Sequence, residues 1–115
     1  MIRTVVYRDA QSRLTGFSAR GHSGYAEEGS DIVCSAVSVL TINCVNSLEA
    51  LCGITPEIEG GEDGYLKATV PMPADDETSR GVQLLLRSLL LGLEQVAEQW
   101  PKYVKLSIQE RRETP

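Results

Sequence analysis

The sequence predicts an α+β fold in one domain, residues 1–115, with the order β-β-α-β-β-α-β and two helices packed against a mostly antiparallel sheet. Three observations carry this. Two long segments, ending at Gly53 and Pro101, repeat apolar residues at helical spacing. Five shorter segments are rich in β-formers or alternate polar and apolar side chains. The 115 residues, 42% of them apolar, suffice for one core without disulfide or metal staples.

The elements follow in order. Ile2 to Arg8 reads as a strand through Val5, Val6 and Tyr7. Asp9-Ala10-Gln11-Ser12 is a polar turn, and Leu14 to Ala19 a second strand, so the chain opens on a hairpin. Ser30 or Asp31 is a natural helix N-cap. Val33, Val37, Leu40, Cys44, Leu48 and Leu51 then form one helix face, which Gly53 ends. Val39, Ile42 and Val45 add apolar positions off that face, so this helix is expected to be well buried. Thr55 to Glu59 and Tyr65 to Val70 read as strands joined by a plain hairpin loop, residues 60–64. That loop carries two acids, no lysine, and leads into a strand, which speaks against phosphate cradling.

Asp75-Asp76-Glu77-Thr78 opens the second helix with acids at its positive end. Its leucines at 84, 85, 86, 89, 90, 91 and 93 exceed one face, so a second subunit is the economical cover and a homodimer is expected. Pro101 stops the helix. Tyr103 to Ile108 alternates as a half-buried strand, and the charged tail from Gln109 to Pro115 is expected to fray.

A net charge of −5 speaks against direct nucleic-acid binding, which needs a basic face, and fits a basic polypeptide partner. Arg3, Arg8, Arg13 and Arg20 lie on the first hairpin, but strand alternation splits them between faces. Cys34, Cys44 and Cys52 share one helix, about 15 Å and 12 Å apart at 1.5 Å per residue, too far for a disulfide. Reduced thiols fit a cytoplasmic protein. No apolar N-terminal signal core is present, and the leucine-rich run is broken by Arg87 and Ser88, so no membrane span is expected.

The chemistry concentrates between residues 21 and 38. His22, the single histidine, precedes Cys34 by twelve positions. An imidazole beside a thiol makes a nucleophile pair. A helix start near Ser30 places Cys34 in the first turn, where the helix end favours a thiolate and unpaired N–H groups can hold an oxyanion. Asp31 and Ser38 share the Cys34 face and are candidates to orient His22 or a substrate. The connector holds Gly24, Tyr25, Glu27, Glu28 and Gly29 after Gly21. It is expected to be mobile, and its glutamates can attract a basic substrate. Cys44 and Cys52 read as structural. No zinc spacing occurs, and no metal or cofactor is expected. Chemistry alone leaves three readings open: a cysteine hydrolase, a non-catalytic dimeric module that clasps a basic peptide, and a redox-sensing thiol.

Gly21-His22-Ser23-Gly24-Tyr25-Ala26, Gly29 and Asp31-Ile32-Val33-Cys34-Ser35-Ala36-Val37-Ser38 resemble the signature of the ribosomal-processing cysteine proteases, the Prp family. The resemblance spans essentially the whole chain; Ser23 and Ser35 stand where the family commonly has alanine. It implies a bacterial cytoplasmic endopeptidase, active as a homodimer. Such enzymes remove a short N-terminal extension from ribosomal protein twenty-seven of the large subunit, cutting after a hydrophobic, aromatic-containing motif. His22 and Cys34 match the catalytic pair, and Asp31 and Ser38 match further characteristic positions.

Overall fold

The computed structural model describes residues 1–21, 30–62 and 64–111, with only the backbone of residues 30, 31 and 62. The elements run β1 (Ile2–Arg8), β2 (Leu14–Arg20), α1 (Ser30–Cys52), β3 (Glu57–Glu62), β4 (Tyr65–Thr69), α2 (Asp76–Gln99) and β5 (Val104–Glu110). This is the expected order. The five strands form one mixed sheet, β3-β4-β2-β1-β5, antiparallel except for the parallel pair of β1 and β5.

The β1–β2 hairpin turns on Asp9. Its carboxylate accepts hydrogen bonds from the N–H of Gln11 and Arg13 and from Arg13 Nε. Burial pushes this carboxyl up, but the bonds from Arg13 and Gln11 outweigh it and hold the group below the usual carboxylate range. A depressed folded pKa contributes stability above the unfolded value and loses it as pH falls through the folded one. We therefore expect Asp9→Asn to be destabilised by about 1–3 kcal/mol at neutral pH. Urea denaturation of both proteins should show the gap closing as the pH drops below about 4.

Strand alternation sorts the side chains. Ile2 and Val6 of β1, Phe17 of β2, Ala68 of β4 and Val104 of β5 lie on one face and are buried. Both helices cover that face with Val33, Val37, Cys44 and Leu48 from α1 and Val82, Leu86, Leu89 and Leu93 from α2. Asp75 caps α2 by accepting from the Thr78 N–H. The Gln83 side chain both donates to and accepts from the Leu14 backbone, tying α2 to the start of β2. The helices run antiparallel and approach closely. A Cβ at Gly92 would meet Leu40 at 2.8 Å, and one at Gly81 would meet the Cys52 sulfur at 3.2 Å.

Several expectations need correction. α1 is one-sided rather than well buried: Ile32, Val39 and Leu51 are 62%, 66% and 73% exposed, and Ile42 is exposed as well. Its neighbours are the sheet on one side and α2 on another, and among the described residues nothing covers the remaining face. By length and composition the segment Ile32–Cys52, with mean hydropathy 1.5, is long and apolar enough to cross a membrane. Its inner residues pack into the protein core, and core helices meet the same criterion. The 60–64 segment is not a plain loop, because β3 continues to Glu62 through a register shift between Gly60 and Glu62. The tail is ordered as far as Arg111, whose N–H donates to Arg8 O; residues 112–115 lie outside the described residues.

Candidate active site

Cys34 lies on the α1 face turned toward the sheet, and a pocket of about 270 Å3 opens beside it. The helix supplies one wall at positions 34, 37, 38, 41 and 42, the i, i+3, i+4, i+7, i+8 spacing of a single face. Ile2, Ala19 and Leu66 of the sheet form the floor. Gly21, Gly61, Gly64 and Tyr65 complete the rim. The walls are mainly apolar, and the volume falls just below the roughly 300–1,000 Å3 of small-molecule sites. It suits one or two apolar side chains better than a cofactor.

The rim depends on local backbone rules. Gly21 has φ +104°, and a Cβ there would come within 2.4 Å of the Met1 carbonyl oxygen. Only glycine fits. Its N–H donates to Gly64 O at 2.8 Å, joining the end of β2 to the turn before β4. Gly60, at φ +80°, sits against the Tyr65 carbonyl and makes the bend of β3 at this rim. Inside the helical wall, the buried Thr41 hydroxyl bonds to Val37 O and Ser38 O, so a polar group sits in an apolar setting without loss.

Among the sequence-predicted site residues, Cys34, Ser38 and Gly21 share this pocket. Of Asp31 only the backbone is described, and His22, Gly24, Tyr25, Glu27, Glu28 and Gly29 lie outside the described residues. Gly21, immediately before His22 in the chain, borders the pocket that Cys34 borders. One detail shifts: α1 begins at Ser30, so Cys34 is its fifth residue, not a member of the first turn.

Sequence reasoning missed most of the pocket. Thr41 and Ile42 were readable from the Cys34 spacing, of which only Ser38 was used. Ile2, Ala19, Tyr65 and Leu66 converge through strand order, which no local pattern gives.

The other thiols differ in setting. Cys44 is buried, with its sulfur 4.0 Å from Leu85 O, and burial pushes its thiol up to about 11. A thiol so protonated is a poor nucleophile at neutral pH. We expect Cys44→Ser to keep peptide-cleaving activity within about twofold while losing roughly 1–2 kcal/mol of stability. Paired activity and melting measurements check both. Cys52 packs beside Gly81 and does not border the pocket. Among the described residues no group of three or more His, Cys, Asp or Glu side chains could hold a metal ion.

Fold and site together define a small α+β protein with a helix-borne thiol facing an apolar pocket at the end of a mixed sheet. The family model described as Cysteine protease Prp matches residues 1–105. A Bacillus subtilis (strain 168) relative, named ribosomal processing cysteine protease Prp, is 29% identical over 108 residues, covering 93% of this chain and 96% of the relative. A crystal structure of a Streptococcus mutans protein superposes with a TM-score of 0.82 at 34% identity, covering 96% of each chain. The Staphylococcus aureus ribosomal processing protease Prp, solved with a covalently linked product peptide, superposes with a TM-score of 0.79 at 25% identity over 94% of this chain and 99% of that one. The chain belongs to the cysteine protease Prp family.

Proposed function

We propose that this protease removes the N-terminal extension of ribosomal protein twenty-seven of the large subunit in the bacterial cytoplasm. The observation that carries the reading is the apolar pocket bordered by Cys34 in a chain of this family. An apolar or aromatic substrate side chain fills the pocket and brings the next peptide bond to the sulfur. The Cys34 thiolate attacks the scissile carbonyl, and His22, having taken the thiol proton, gives it to the leaving amine. His22 then draws a proton from water, and the hydroxide opens the thioester, releasing the acid and regenerating the thiol. N–H groups at the start of α1 hold the oxyanion. Asp31 and Ser38 position the imidazole or the substrate, and Glu27 and Glu28 attract a basic substrate.

The test is a peptide spanning the extension junction, incubated with pure enzyme and followed by mass spectrometry. A single cut after the aromatic motif supports the assignment. An intact peptide that nevertheless binds returns the site to a peptide clasp.

The dimer belongs to the same reading. The groove between α1 and α2, about 490 Å3, is flanked by exposed Ile32 and Val39 and includes Trp100. Leu84 and Leu91 add exposed apolar surface on α2. A second copy is the occupant we assign. Sedimentation should give a dimer, with Val39→Glu shifting it to monomer; a monomeric wild type refutes this.

A further inference from the structure

We propose that the open face of the sheet binds RNA, with phosphates lying along Arg20, Arg3 and Lys105. The chain carries 16 acidic and 11 basic residues, yet the charge is not evenly spread. Arg20 stands directly opposite Arg3 in the antiparallel pair, and Arg3 opposite Lys105 in the parallel one. The three side chains therefore share one face in a single row across three adjacent strands, about 4.8 Å apart in the hydrogen-bonding direction. All three are exposed. Like charges directly opposite each other destabilise a sheet. The two ion pairs of the described residues, Arg8–Glu110 and Arg13–Asp9, lie elsewhere and relieve none of the row. A row of cations kept at a cost to stability calls for an anionic partner.

The surroundings favour nucleic acid over an acidic polypeptide. Tyr65 of β4 continues the row beyond Arg20, whose guanidinium lies 4.5 Å from the ring centroid. Such a planar guanidinium–aromatic stack can be extended by a base, and guanidinium takes phosphate through two parallel hydrogen bonds. Further along the face, Lys67 and Arg111 lie over the Tyr7 ring at 5.3 Å and 5.6 Å. The acidic residues that the register places on this face, Glu57, Glu59 and Glu62, all sit on the edge strand β3; Glu62 pairs with Tyr65 at the end of the row, and Glu59 accepts from the Tyr65 hydroxyl. The helices cover only the opposite face, so a dimer joined through them leaves this one open. RNA is also the polyanion that surrounds a ribosomal protein, and to that extent the choice rests on the function proposed above; the cation row does not.

Fluorescence anisotropy with a labelled single-stranded RNA of about 12 nucleotides tests the proposal across a salt series. Binding should weaken with salt. Arg3→Gln/Lys105→Gln should bind at least tenfold more weakly, with a salt slope shallower by roughly 1.4, two contacts at about 0.7 each. That variant should still cleave the junction peptide, so failure of the RNA arm and failure of the protease assignment are read separately. No binding by the wild type, equal binding by a folded variant, or equally tight capture of poly-glutamate would each overturn the proposal, the last in favour of an acidic polypeptide.

Discussion

Cys34→Ala is expected to lose cleavage of the junction peptide by at least about a thousandfold while remaining folded. Of the side chains in the pocket wall the Cys34 thiol is the strongest nucleophile, since the Ser38 and Thr41 hydroxyls are far less acidic and Thr41 already donates to Val37 O and Ser38 O. The substitution removes one sulfur from a half-buried position, so the melting temperature should move by only a few degrees. The variant should also still bind the peptide, because Val37, Ile42 and Leu66 are untouched. Retained turnover would remove Cys34 from the mechanism and with it the proposed function.

The second large effect concerns a residue with no side chain. Gly21→Ala places a Cβ at 2.4 Å from a backbone oxygen and forces an L-residue to φ +104°. The conformation alone costs about 1–3 kcal/mol. The contact adds to it, because the partner is backbone and cannot rotate away. We expect the melting temperature to fall by about 10 °C and kcat/KM to fall at least tenfold at temperatures where the protein stays folded. The activity loss follows from displacement of the Gly21–Gly64 hydrogen bond that fixes the pocket rim. Gly53→Ala is the internal comparison. It has φ +66° at the end of α1, but an added Cβ there meets nothing within 4 Å. It should cost about 1–2 kcal/mol and leave activity intact. Equal behaviour of the two variants would show that the rim geometry does not matter.

Local patterns made most of the secondary structure legible. The apolar spacing from Val33 to Leu48 and the turn chemistry of Asp9 and Gly53 each specify one local geometry, and these elements stand where they were expected. Cys34 and Ser38 were legible as neighbours because helical periodicity alone sets their relation. What local patterns do not encode is which strands become neighbours. The parallel placement of β5 beside β1, and the convergence of Ile2, Ala19 and Leu66 under α1, arise from packing of both helices on one face. The burial of α1 was overestimated for a related reason. Hydrophobicity at Val39, Ile42 and Val45 reads as coverage within the chain, yet Val39 and Ile42 are exposed, because among the described residues the two-layer fold has no third layer to supply it. Net charge is likewise a total and says nothing about where the basic residues stand, as in the row at Arg20, Arg3 and Lys105.

The parallel pairing of the first and last strands also governs when the enzyme comes into being. Ile2 forms part of the pocket floor, and it is held by donating its N–H to Tyr103 O. Next to it, the Thr4 hydroxyl reaches Lys105 O across 101 positions of chain. During translation the hairpin and α1 emerge early, but the strand that anchors the floor, β5, is made about a hundred residues after β1. Contacts of such long sequence separation form late and slow the final step of folding. A nascent chain therefore carries its cysteine for most of its synthesis without a finished pocket. Proteolytic competence begins only when β5 has joined β1.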